Sequence, residues 1–309
     1  MKKRTLGFKL VAGGIAAVLI PLLVVGLFAV NKASEALSEA SHSQAMNIAK
    51  DHAEAIELVL KEQLQKAAGL AALHSFREAA ANAPLSATEE TALNGQIHDL
   101  LKGLGENYAG LFLAGRDGII FCGTKYNGAA DYKGIDIKER GYFKAVMATG
   151  KPVLSDALRS KSTKKPTVYA TAPLKSSDGQ TVGMVALALN IDFLIETVSE
   201  KKIGSTGYAY MANSEGIIVA HPKAEYVLEL DLKTLQGMES ITRHMMKGDT
   251  GMEDYTFKGV DKIAAFAPVP LAGWSVAATQ DADEFMKASR SIRNVIMVVG
   301  LAFLTVTIL

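Results

Sequence analysis

Very little in this sequence can cross-link or catalyse. The single cysteine, Cys122, excludes an intrachain disulfide, so an oxidising compartment is tolerated but not used for stability. Set among apolar residues in "IIFCG", it reads as a small core hydrophobe on a strand rather than a reactive thiol. No Gly-x-Ser-x-Gly, His-Glu-x-x-His, Walker loop or Cys-x-x-Cys occurs. The six histidines find no second ligand at metal spacing. The expectation is no enzyme, no metal and no cofactor. A net charge of +1 supplies no basic field, which argues against nucleic acid as a partner.

What is present in quantity is apolar. Residues 10–30 read "LVAGGIAAVLIPLLVVGLFAV" without a charge, long enough to cross a hydrocarbon layer of roughly 30 Å as a helix. The run exceeds the h-region of about 7–15 residues in a cleaved signal peptide, so it is read as a first transmembrane helix. Lys2, Lys3, Arg4 and Lys9 before it place residues 1–9 in the cytoplasm. Residues 295–309, "VIMVVGLAFLTVTIL", are read as a truncated second span, so the chain is expected to be a fragment that lacks a cytoplasmic signalling domain. The localisation implied is the inner membrane, with residues 31–294 outside the cytoplasm and the lipid bilayer as a partner.

Between the runs the periodicity changes twice. Ala45, Ile48, Ile56, Val59, Leu60, Leu64, Ala67 and Ala71 recur at spacings near three and four, which predicts one long amphipathic helix. Its broad stripe suits both a domain flank and a second copy of the chain, so a homodimer is expected. A shorter helix is expected over 86–103, with Ser86 or Thr88 as its cap. Residues 31–106 are thus mainly helical. Strand-like runs follow, and they come twice. "LFLAGRDGIIF" (111–121) is echoed by "AYMANSEGIIV" (209–219), and "YATAPLKSSDGQTVGMVALAL" by "AAFAPVPLAGWSVAAT". Tandem copies of one strand-turn-strand unit are expected, over 107–198 and 199–282, joined by a helix in "IDFLIETVSEKK". A charged linker helix over 283–294, capped by Asp281 or Asp283, then leads to the second span. The fold class is α+β: a long N-terminal helix and two PAS-like antiparallel-sheet units between two transmembrane helices.

A basic N-terminus, a membrane helix, a long helix, two tandem PAS-like units and a second membrane helix resemble the N-terminal half of a bacterial methyl-accepting chemotaxis protein with a double Cache (dCache) sensor domain. The resemblance covers about residues 10–309 and implies a ligand held by the membrane-distal unit. Amino-acid-binding members carry an Arg-x-aromatic-aromatic segment whose arginine grips the ligand carboxylate, and "RGYF" matches it with Arg140, Tyr142 and Phe143. A planar guanidinium suits bidentate carboxylate binding on its own merits. Those members also hold the ligand ammonium with an aspartate on the last strand of the unit; here Ala188 stands near that place and Asp192 comes too late. A small organic acid without an α-ammonium is therefore expected in preference to an amino acid. Tyr126, Tyr169 and Thr171 are candidate hydroxyl partners, and Lys161, Lys164 or Lys165 could meet a second carboxylate.

The plainer reading of Arg140 is a surface residue paired with Asp136 or Glu139. That of "AHP" around His221 is a turn, and that of Trp274 is packing. The alternative functions are the same sensor on a histidine kinase or diguanylate cyclase and, further off, a membrane-anchored extracytoplasmic enzyme.

Overall fold

The computed structural model describes residues 6–129, 132–199 and 203–287, and in the C-terminal segment residues 290–291, 294–295, 297–300 and 305. Helix α1 (Leu6–Ala71) is followed by α2 (His74–Asn82) and α3 (Ala87–Leu104). The long helix forms because its Ala-, Glu-, Lys- and Leu-rich sequence has high helical propensity. It stays docked because Ala49, Ala53, Ile56, Leu60, Ala67 and Ala71 form one buried stripe. Ser86 caps α3: its hydroxyl accepts from the Glu89 backbone N–H at 3.4 Å, and the Glu89 carboxylate accepts from the Ser86 N–H at 2.9 Å. Residues 10–30 are helical within α1. Among the described residues, no helix is long and apolar enough to cross a membrane. Most of the expected second span lies outside the described residues.

Two antiparallel sheets follow. The first contains β1 (Tyr108–Gly115), β2 (Ile120–Lys125), β3 (Val153–Leu154), β4 (Leu158–Arg159), β5 (Pro166–Lys175) and β6 (Thr181–Asn190), with α4 (Gly141–Thr149) between β2 and β3. Its order is β2-β1-β6-β5-β3, and β4 pairs with β5. After α5 (Ile191–Ser199), the second sheet contains β7 (Tyr208–Asn213), β8 (Ile218–Ala220), β9 (Gly251–Phe257), β10 (Val260–Val269) and β11 (Trp274–Asp281), with α6 (Glu239–Lys247) between β8 and β9. Its order, β8-β7-β11-β10-β9, repeats the first.

The repetition reaches individual residues. Each opening hairpin turns on a glycine in the left-handed region, Gly118 at φ 82° and Gly216 at φ 81°, where a side chain would be strained. Each has a register shift before that turn, at Leu113/Ala114 and at Met211/Ala212. In the covering segments, Ile119 bridges Asp136 and Ile217 bridges Asp231.

Both faces of the first sheet are buried, which is why its strands read as nearly continuous apolar runs. Leu111, Leu113, Val185, Leu187 and Leu189 face a core shared with α1, α2 and α3. Their neighbours Phe112, Ala114, Met184, Ala186 and Ala188 face α4, as the period of two requires. The second sheet packs one face on α1 and the other on α6. A short α7 (Ala282–Phe285) ends the described core. Neither expected cap acts as one: no side-chain cap bond forms at Asp281. The Asp281 carboxylate instead takes the Lys262 ammonium at 2.5 Å, and Asp283 takes Arg290 at 2.7 Å. What anchors α7 is Glu284, which accepts from Ser205 N–H at 2.7 Å and Thr206 N–H at 2.8 Å.

Candidate functional site

The α4 face of the first sheet carries a narrow recess. Its floor is Phe112 on β1 and Tyr169 on β5, and its walls come from the 132–137 segment, the start of α4 and the 160–162 loop. The wall stands off the sheet because the covering segment is pinned at both ends: Ile120 N–H donates to Ile135 C=O at 3.1 Å and Ile137 N–H to Gly118 C=O at 2.8 Å. The lining is aromatic. Tyr142 stacks on Tyr169 with centroids 5.1 Å apart, and Phe112 meets Tyr169 edge-on at 5.8 Å and Tyr132 at 5.2 Å. Burial raises the pKa of the Tyr142 and Tyr169 phenols, so both stay neutral hydroxyls at any physiological pH.

Arg140 occupies the N-cap position of α4 with extended backbone and no capping bond from its side chain. It lines the recess, half-buried. Its Nη2 donates to the Arg159 carbonyl at 3.2 Å. The acidic neighbours that a surface ion pair would use are engaged elsewhere. Glu139 takes Lys144 at 2.5 Å, and Asp136 accepts from the Lys138 N–H at 2.8 Å. Lys161 also lines the recess, with its ammonium on the Asp136 carbonyl. Ser162 adds a buried hydroxyl that finds no hydrogen-bond partner among the described residues. Such a group is expensive to leave unmet. No described residue lining the recess is an aspartate or glutamate.

Of the residues singled out from sequence, Arg140, Tyr142, Tyr169 and Lys161 come together here. Phe143 is buried behind them in the same apolar cluster without reaching the lining. Tyr126 is not brought to the recess; it packs with the core on the opposite face of the sheet, under Lys102, whose Nζ is 4.2 Å from the ring centroid. Thr171 is fully buried and spends its hydroxyl on the Val153 carbonyl at 2.6 Å, holding the edge strand β3. Lys164 and Lys165 are exposed and outside the lining. Ala188 pairs with Tyr169 across β5 and β6, buried on the recess side of the sheet. Sequence reasoning missed Tyr132, Ser160 and Ser162. The polar run "SKS" at 160–162 between apolar strands was the available signal.

Polar contacts after β3 tie the first unit to the second. Asp156, just after β3, accepts from Trp274 Nε1 at 2.8 Å and from Asn213 Nδ2 at 2.7 Å. Arg159, immediately before the 160–162 loop, pairs with Glu229 of the second unit.

Comparison with known proteins places this geometry. Curated relatives include the methyl-accepting chemotaxis protein McpA of Bacillus subtilis, 24% identical over all of this chain and 44% of its own length. The chain thus spans less than half the length of this and similar curated relatives. Among solved structures, the extracellular domain of the putative histidine kinase mmHK1S-Z2 aligns with a TM-score of 0.64 at 16% identity, over 80% of this chain and 99% of that one. The ligand-binding domain of the Pseudomonas aeruginosa chemoreceptor PctB, in complex with L-Gln, aligns at 0.57 and 17% identity, over 78% and 91%. At these identities the likeness is one of fold. The family model dCache_1, described as a Cache domain, matches residues 33–289, and on that match the chain belongs to the Cache domain family.

Proposed function

We propose that this chain is the ligand-sensing part of a transmembrane chemoreceptor and that its membrane-distal recess binds a small carboxylate lacking an α-ammonium. One observation carries the reading: Arg140 stands at an aromatic-walled recess with no carboxylate among its described lining residues. A ligand carboxylate would take the guanidinium bidentately, with the tyrosine rings excluding water and strengthening the pair. Ser162 and Lys161 are placed to receive a second acceptor group. An amino acid would bring an ammonium with no anion to meet it, and an unpaired charge in a dry site is costly.

Residues 10–30 and the segment from 295 onward serve in this reading as membrane spans, for the hydropathy reasons given above, with the Cache region outside the cytoplasm. A homodimer along α1 is supported by Leu58, 68% exposed on the face opposite the buried stripe. Ligand closure would draw the 160–162 loop towards Arg140, and through Asp156 and Arg159 the same segment pulls on the second unit. The bound state is favoured only by its differential affinity for the two arrangements. Matching relatives over nearly the whole chain are methyl-accepting chemotaxis proteins, which favours a chemotactic output. A histidine kinase output is the second reading, favoured by the fold likeness to a kinase sensor.

The test is a thermal-shift series on the 309-residue chain in detergent, with C2–C5 mono- and dicarboxylic acids, amino acids and amines, beside Arg140→Ala. A ligand at 100-fold its dissociation constant adds about 2.7 kcal/mol. The expected result is stabilisation of the wild type by an organic acid and none of the variant. Stabilisation of both alike would remove Arg140 from the site.

A further inference from the structure

Where α1 gives way to α2, an open pocket of about 260 Å³ lies on the face of the first sheet opposite the recess. A cavity of about 150 Å³ is enough to hold benzene. Two chain reversals make this space. α1 stops at Ala71 and α2 restarts at His74, with Phe76, Ala79 and Ala80 buried in the core of that face. On the other side α4 ends at Gly150, in the left-handed region at φ 60°, and Pro152 leads into β3. The C-terminal part of β5 lies between them, at Ala172, Pro173 and Lys175.

The lining is apolar apart from two cations. Alanines of α1 and β5 meet Pro152 and Pro173, and the charged lining residues are Arg77 and Lys175. No described lining residue is an aspartate or glutamate. Arg77 is half-buried, and its Nε is fully buried without a hydrogen-bond partner among the described residues. Neither cation pairs with a described carboxylate. A structural duty for Arg77 would be to close helix-terminal carbonyls, since α1 and α4 both end here. Those carbonyls are already taken. Ala68 and Gly69 accept the Ala72 N–H at 3.2 Å, Leu70 accepts that of Leu73 at 3.1 Å, and Val146 accepts that of Gly150 at 2.9 Å. The half-charges at helix ends fade within a turn, so the guanidinium sets the sign of the pocket. A buried donor left unmet is costly, and a ligand that meets it is favoured accordingly.

We infer that this pocket is a second ligand site, for a carboxylate with an apolar body about the size of benzoate. The fork of Nε and Nη on Arg77 suits a carboxylate side-on, and the alanine and proline surface takes the body. The inference is independent of the carboxylate reading of the distal recess. Because α4 touches both sites, with Arg140 at the recess and Gly150 here, Arg140→Ala is the control that separates them.

The experiment is calorimetric titration of the whole chain in lipid nanodiscs with benzoate, beside protein-free nanodiscs. Saturable binding is expected, at least fivefold weaker in Arg77→Met and within twofold of wild type in Arg140→Ala. Methionine keeps the apolar stem, and the guanidinium has no partner to lose, so the unliganded Arg77→Met protein should melt within about 2 °C of wild type. Benzamide, with the same body and no charge, should bind at least fivefold more weakly than benzoate to wild type and equally to Arg77→Met. Sulfate, a charge without a body, should compete at least tenfold more weakly than benzoate. Absence of saturable binding beyond empty nanodiscs overturns the inference, as does unchanged affinity in Arg77→Met or loss of binding in Arg140→Ala. If the acids of the distal test fail while Arg77-dependent benzoate binding persists, the distal reading falls and this one stands.

Discussion

Single side chains set the properties of both units. His221 is held at about 4 against an ordinary value of 6.5, chiefly by burial. Between those values the unfolded chain binds the extra proton, so stability rises with pH across the window, is complete above 6.5 and is lost as pH falls towards 4. The wild type should lose on the order of 2 kcal/mol more than His221→Phe between pH 7 and 4.5, after allowance for solvent screening; parallel pH–Tm curves for the two would refute this. Gly110 shows how little room the distal unit has. A Cβ there would meet the Tyr132 phenol oxygen and come within 2.9 Å of the Thr124 carbonyl. Gly110→Ala should displace Tyr132 from the recess wall and weaken ligand binding about tenfold, measured by titration, with the fold retained by circular dichroism. Some of this residue scale was legible in sequence. Arg140 stood out because its partners in "RGYF" lie within one helical turn. Tyr126 and Thr171 lie away from the recess because the face a strand residue takes depends on register and bulges that only pairing settles. His221 reads as a turn residue, and it does receive the Lys223 N–H as a turn would, but its ring also packs edge-on against Tyr208 and Tyr226.

At the scale of elements, local signals succeeded where the physics is local. The Ser86 capping box sits within four residues and was visible as Ser followed by Glu at the third position. Ser86→Ala should cost about 1 kcal/mol in urea unfolding with an unchanged m-value. The long helix was legible from its buried stripe, and the duplication from turn glycines and Ile-Ile pairs that recur with the same backbone job. The end of the core was not. Asp281 and Asp283 look like caps beside a short helix, yet the Lys262 ammonium takes Asp281 because the two residues are direct partners at the end of the β10–β11 ladder. Glu284 is drawn well below the usual carboxylate range by the Ser205 and Thr206 hydroxyls and the Ser205 N–H, a contact spanning 79 residues.

Across the whole molecule, two sheets of one topology are joined through Asp156 among other contacts. That carboxylate meets Trp274 across 118 residues, a contact no sequence pattern announces. Asp156→Ala strands the Trp274 and Asn213 donors. It should cost about 2–3 kcal/mol in unfolding, while leaving distal ligand affinity within about threefold. Loss of ligand-dependent hydrogen-exchange changes in the second unit, with binding kept, is the signature expected of a link; unchanged transmission would show that Asp156 is not that link. The central claim concerns what the distal recess accepts, and matched pairs test it most directly. Isothermal titration of propionate against alanine and of succinate against aspartate, with the same preparation, compares ligands that differ only in the α-ammonium. The account predicts that the unaminated acid of at least one pair binds ten times tighter or more, with Arg140→Ala abolishing it. Amino acids binding as tightly as, or tighter than, their unaminated partners would contradict it.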